Sequence, residues 1–166
     1  MTHVVLFVFP LLMAFAAFSD LLTMRISNTL VVMIAVSFFA VAALAHLPLD
    51  AVFLNMGCAS VVLLITFAMF APGWIGGGDA KLAAATTLWM GFGLTLPYLV
   101  YTALLGGVLT LLILGLRRLP LTPLMARYRW IERLHDPRTG VPYGIALAVA
   151  ALLMYSQTAV FKALIG

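Results

Sequence analysis

Val61-Val62-Leu63-Leu64-Ile65-Thr66-Phe67-Ala68-Met69-Phe70-Ala71-Pro72-Gly73-Trp74-Ile75-Gly76-Gly77-Gly78-Asp79-Ala80-Lys81-Leu82 begins as an apolar run, breaks at Pro72-Gly73, crosses three consecutive glycines and arrives at a carboxylate at the mouth of the next apolar segment. The run before the break is apolar enough to enter hydrocarbon, and similar runs lie on both sides of it. Across the 166 residues, 65% are hydrophobic and only 8% charged, which excludes a soluble domain and indicates an all-α, polytopic membrane protein. Against such a background an acid needs a reason, because placing Asp near hydrocarbon costs on the order of 2.5–3.5 kcal/mol even on insertion scales.

Judged against about 20 residues per crossing, the apolar stretches predict roughly six spans in a single membrane domain over 1–166. They fall at 3–19, 29–46, 51–71, 80–93, 95–116 and 142–162. The fourth is short and glycine-flanked, as expected of a helix that starts inside a protein-lined cavity, where irregular backbone is tolerated at depth. Arg25, Lys81 and the group Arg117, Arg118, Arg127, Arg129, Arg133 and Arg138 fall in three segments. The positive-inside rule puts those segments in the cytoplasm, with the N-terminus, the 46–50 loop, the turn near Pro97 and the C-terminus outside. Ala14-Phe15-Ala16 fits a small-x-small cleavage pattern, but no basic residue precedes the first apolar run, so an uncleaved first span is expected.

The chain has five acidic residues, Asp20, Asp50, Asp79, Glu132 and Asp136. Asp20 follows span one and Asp79 precedes span four, so one out-and-back pair of crossings separates them and both return to the same membrane face. Two aspartates that share one water can divide acid and base roles in peptide hydrolysis. Like charges about 4 Å apart repel by roughly 4 kcal/mol at an effective dielectric of about 20, so the pair holds one proton between them. Gly76, Gly77 and Gly78 lack Cβ atoms and allow both a sharp turn and the close approach of an extended chain. Lys81 and Arg25 lie on the same face as candidate site-shaping cations, although Lys81, two residues past Asp79, points to a different side of its helix.

Other residues receive structural readings. His3, His46 and His135 sit on separate segments and Cys58 is a lone cysteine, so no metal site is expected. The basic 117–141 segment, with Tyr128 and Trp130, reads as an interfacial amphipathic helix around 123–135 that anchors to lipid. Gly144 and Gly106-Gly107 read as close-packing positions. The net charge of +4 reports topology and contact with anionic lipid; nucleic acid is not an expected partner.

Gly76-Gly77-Gly78-Asp79-Ala80-Lys81-Leu82 resembles the GxGDxKL signature of the type IV prepilin peptidases, which are GxGD intramembrane aspartyl proteases. Asp20-Leu21-Leu22-Thr23-Met24-Arg25-Ile26-Ser27-Asn28 resembles that family's first motif, with Ser27 where proline is usual and Asn28 expected to cap the second span. Val141-Pro142-Tyr143-Gly144-Ile145-Ala146 is similar to the opening of the family's last span. The resemblance implies that Asp20 and Asp79 are catalytic and that the substrates are prepilin or pseudopilin precursors. It also implies cleavage after a glycine, at the cytoplasmic face of a bacterial inner membrane. Larger family members add paired CxxC motifs and a methyltransferase activity. With one cysteine this chain looks like the short TadV/CpaA-like branch that processes Flp-type prepilins, so neither zinc nor another cofactor is expected. Oligomeric state is open. A proton-coupled transporter or a non-catalytic secretion subunit is the competing class, although no internal repeat with paired broken helices is visible.

Overall fold

The computed structural model describes residues 2–121 and 127–166. The chain is helical from α1 (Thr2–Leu6) and α2 (Val8–Thr23) through α3 (Asn28–Leu44), α4 (Leu49–Phe70) and α5 (Gly77–Arg117) to α6 (Arg129–His135), α7 (Tyr143–Met154) and α8 (Ala159–Ile165). Val4–Thr23, Leu49–Phe70 and Gly77–Arg117 are long and apolar enough to cross a membrane, and α7 with α8 forms a fourth, bent pair. The bundle packs as an all-α membrane protein, with Phe15, Phe53, Leu64 and Leu112 among many large apolar side chains left on its outer surface for lipid.

The 41 residues of α5 would make a straight rod of about 60 Å, twice the hydrocarbon thickness. In such a rod Asp79 and Thr110 would stand about 45 Å apart, yet both line one cavity. The chain therefore doubles back, and the reversal is at Gly91, whose φ of 70° and ψ of 176° interrupt the helix. Only glycine occupies that region without strain. Asn55 of α4 braces the break: its Nδ2 donates to the Leu88 carbonyl at 3.0 Å, a group that the broken helix leaves without a partner. Thr95 Oγ1 donates to the Gly91 carbonyl at 2.7 Å, and Cys58 Sγ lies 3.3 Å from Thr95 Oγ1. The turn expected near Pro97 thus falls six residues earlier. Proline restricts a helix, but positive φ is what lets the chain turn back on itself.

Residues 77–90 form the first limb of α5 and 92–117 the second. With α5 counted as two limbs and α3 as a short apolar helix of 17 residues, the bundle has the roughly six apolar helices that the sequence predicts. The first limb is the axis of the bundle, with Leu82 through Met90 all buried, as a helix apolar on every side must be. Trp89 ties it to three neighbours: Nε1 donates to the Ile34 carbonyl at 3.0 Å, and the indole lies 4.7 Å from the Phe9 ring and 6.3 Å from that of Tyr155. In α2 the buried positions Phe9, Met13, Ala16 and Asp20 recur at helical spacing, so Asp20 continues an apolar stripe inward.

Two boundaries differ from expectation. The span expected over 142–162 is broken: α7 ends in a 3-10 turn at Tyr155–Gln157, and α8 leaves at 45°. Extended backbone at Thr158 makes the bend, and its hydroxyl caps α8 by accepting the Phe161 N–H. The cap of α3 is Ser27, whose Oγ accepts the Leu30 N–H at 3.1 Å; Asn28, expected in that role, is the first residue inside the helix. Serine at this position thus gives the turn a capping oxygen that proline lacks.

Alanine at position 91 would combine positive φ with a Cβ 2.8 Å from Asn55 Oδ1. Gly91→Ala is expected to destabilise the fold by about 1–3 kcal/mol, and Asn55→Leu, which strips the Leu88 carbonyl of its partner, by a similar amount of about 1–3 kcal/mol. Thermal unfolding in detergent micelles checks both; an unchanged Tm for Gly91→Ala would contradict the reversal.

Candidate active site

A cavity of about 1050 Å³ opens where the C-terminal end of α2, both limbs of α5 and the start of α7 meet. Asp20 and Asp79 both line it, together with Gly76, Gly77, Gly78 and Arg25. Local structure explains how each acid gets there. α2 ends just past Asp20 because Met24 takes a left-handed conformation (φ 51°, ψ 35°) and its N–H caps the Asp20 carbonyl at 2.8 Å. The Arg25 carbonyl then accepts from Thr23 Oγ1 at 3.1 Å and Ser19 Oγ at 3.3 Å, which holds the turn. Asp79 is the third residue of α5, behind the N-cap Gly76, where a negative charge is favoured by the helix dipole. Its carboxylate turns back over Gly76, and a Cβ built there would lie 2.8 Å from Asp79 Oδ2.

Glycine is required by contact on the opposite wall as well. The Gly144 N–H, in the first turn of α7, donates to Asp20 Oδ2 at 2.7 Å in a buried bond that ties the first long helix to the last. A Cβ on Gly144 would meet Asp20 Oδ2 at 2.7 Å and Ile26 Cδ1 at 2.9 Å. Gly78 packs on Ile26 from the other side, its Cβ position 3.2 Å from Ile26 Cβ. Ile26 is therefore clasped between the helices that carry the two acids and their support.

Of the residues singled out in the sequence, Asp20, Asp79, Arg25 and the three glycines converge on the cavity, and Lys81 does not. Lys81 faces a smaller groove against α3 and α4, where its Nζ donates to Asn28 Oδ1 at 2.9 Å. That bond joins the second turn of α5 to the first residue of α3, which follows the 24–27 turn beside the cavity. Sequence reasoning gave Gly144 a packing role and missed its bond to Asp20. The similarity of Val141 through Ala146 to a last-span opening was the available signal. It also read Arg117 as part of a lipid-facing basic patch. Instead Arg117 turns inward, donating to the carbonyls of Leu134 at 2.8 Å, Thr139 at 2.9 Å and Gly140 at 3.0 Å. This clamp holds the approach to Gly140 and Val141 in the cavity wall. The expected interfacial helix around 123–135 lies partly outside the described residues; its described part is the short α6. Among the described residues, no group of three or more His, Cys, Asp or Glu is placed to hold a metal ion.

Two acids from distant parts of the chain thus stand in one glycine-walled cavity at the ends of apolar helices. The profile of the type IV leader peptidase family matches residues 7–111, well over half of the chain, and includes both aspartates. The chain belongs to the type IV leader peptidase family. No curated protein and no solved structure matches it. The match ends before α7, so Gly144, which holds Asp20, lies beyond the segment that carries the family's profile.

Gly144→Ala is expected to displace Asp20, and a misplacement of about 1 Å at a reacting group costs roughly 100-fold in rate. Leader cleavage by membranes holding equal amounts of inserted wild-type and Gly144→Ala protein measures it. Retention of full activity would mean that the Asp20–Gly144 contact has no part in the chemistry.

Proposed function

We propose that this protein is an intramembrane aspartyl endopeptidase that removes the leader of Flp-type prepilins or pseudopilins at the cytoplasmic face of a bacterial inner membrane. The observation that carries the reading is the shared cavity: Asp20 and Asp79, the two acids at the resembling motifs, line the same space although 58 intervening residues separate them. Membership of the leader peptidase family supports peptide hydrolysis. The basic segments around Arg25, Lys81 and 117–138 support the cytoplasmic assignment.

The chemistry follows from the pair. With one proton shared between the carboxyls, the ionised carboxylate takes a proton from water as its oxygen bonds to the scissile carbonyl carbon, and the protonated partner donates to the carbonyl oxygen. Collapse of the tetrahedral intermediate breaks the C–N bond: the proton gained from water passes to the departing amine, and a hydroxyl of the intermediate returns its proton to the partner carboxylate, which restores the singly protonated pair. The protein's part is to hold both acids on the wall of one cavity, where they act on a substrate already in register. A helical precursor must unwind to expose its carbonyl, and Gly76 through Gly78 leave room on the cavity wall for an extended chain.

Co-expression with an Flp-type precursor tests the reading. Wild type is expected to remove the leader, while Asp20→Asn and Asp79→Asn, inserted at equal levels, lose at least about 1000-fold of the rate, since each removes one half of an acid–base pair. Cleavage by either variant at the wild-type rate would remove that residue from the chemistry. Proton-coupled transport in proteoliposomes without cleavage of any precursor would replace the protease reading with a transporter.

A further inference from the structure

The large apolar side chains left exposed on this protein lie mostly on long helices that face lipid, but one sits in the turn between α4 and α5. Trp74 is 76% exposed, the highest value among the described large apolar residues, whereas Trp89 is sealed in the core. Backbone bonds fix its position. Gly73 takes a positive φ of 81°, its N–H donates to the Phe70 carbonyl at 2.8 Å, and the Trp74 N–H donates to the Met69 carbonyl at 3.1 Å. These are the paired bonds with which the Schellman motif closes a helix, so the indole is carried by a bonded turn. Trp74 lines the same cavity as Asp20 and Asp79, together with the apolar residues Met69, Ile75, Leu99 and Ala103. Ile75 alone separates it from Gly76, over which the Asp79 carboxylate turns. Two residues of chain span at most about 7 Å. The indole therefore stands within a few residues' reach of the reacting groups along an extended substrate.

A cavity that holds two acids and an exposed indole on adjoining turns fits a substrate with the same division. A precursor cut at the membrane carries an apolar stretch close to its scissile bond, and that stretch must keep its apolar side chains out of water while the chain beside it unwinds. A tryptophan offers it a large surface: aromatic side chains bury about 150–250 Å² each, and Trp is enriched among the few residues that carry most of the energy of an interface. We propose that Trp74 is a substrate-docking residue: its indole packs against the apolar segment of the precursor next to the scissile bond and so sets how far the chain runs past Asp20 and Asp79. The inference rests on the leader-peptidase reading and adds to it a determinant that reads the apolar side chains of the substrate. Tryptophan also serves as an anchor at the membrane–water interface. Its place in the wall of the catalytic cavity, two residues from Gly76, is what favours the substrate as its partner.

The test uses purified full-length protein in phospholipid nanodiscs with an Flp-type precursor as substrate. Trp74→Ala is expected to lower kcat/KM about 10-fold or more, the level of a dominant binding contact, chiefly by raising KM. Trp74→Phe keeps an aromatic face and is expected to stay within about 3-fold of wild type. Tm is expected to hold in both, because so exposed a side chain adds little to the core. Leu112→Ala, which trims a lipid-facing side chain, serves as the control that keeps kcat/KM. In the Asp79→Asn background, p-benzoylphenylalanine placed at position 74 is expected to crosslink to the precursor on illumination, and the same probe at position 112 to lipid. Unchanged kcat/KM in Trp74→Ala overturns the proposal, as does a probe at position 74 that captures lipid and no precursor, because the indole is then an interfacial anchor. A fall in Tm that accompanies the loss of activity also overturns it, because the indole then serves the fold. If wild type cuts no precursor, the leader-peptidase reading fails first and this assignment falls with it. Normal cleavage by wild type with an indifferent Trp74→Ala sinks the assignment alone.

Discussion

A helix that crosses a bilayer must keep its backbone bonded within the protein, so a reversal inside one is permitted only where side chains take over the freed groups. Gly91 is that place. Its positive φ turns α5 back, Asn55 takes the Leu88 carbonyl and Thr95 takes the Gly91 carbonyl. The first limb can then run through the centre of the bundle, gripped by Trp89 against Ile34 and Phe9, with Asp79 at one end. The second limb returns beside it and carries Thr102 to the same cavity. Without that turn α5 would outreach the membrane and no common site would form.

Around the cavity, backbone approaches side chain at distances that leave no space for a methyl group. Gly144 lies against Asp20, Gly76 against Asp79, and Gly106 faces the ring of Tyr143 closely enough that a Cβ there would overlap it. The consequence is electrostatic as well as steric, because the Gly144 N–H reaches the Asp20 carboxylate directly at 2.7 Å. Small residues elsewhere on α7, Ala146, Ala148, Ala150 and Ala151, let that helix sit near enough for the bond to form. Arg117 completes the support by donating to the Thr139 and Gly140 carbonyls just before α7 begins. Both acids therefore belong to a frame in which each contact is local but the whole draws on α2, α5 and α7.

What could be read in advance divides along physical lines. Asp20 and Asp79 were legible because a carboxylate in an apolar chain is costly, and because counting crossings brings both to one face wherever the boundaries fall by a few residues. The stripe Phe9, Met13, Ala16 and Asp20 is visible in the spacing alone. Arg117 was misread since a basic residue near a membrane ordinarily meets lipid, and nothing in its neighbours signals three inward carbonyls. Ser27 was passed over for Asn28 because both are good capping residues, and only the backbone angles, extended at 27 and helical from 28, decide between them.

The sequence by itself determined the class of the protein, the apolar segments, the two acids and their common side, because burial cost and helical periodicity depend on residue type and order. Tertiary structure decided the contacts: that Gly144 bonds Asp20, that Lys81 turns to Asn28, and that α5 folds back at Gly91 so that both its limbs line the cavity of Asp79. Those outcomes depend on distances of a few tenths of an ångström between helices far apart in the chain, and such distances are set only when all the helices pack together.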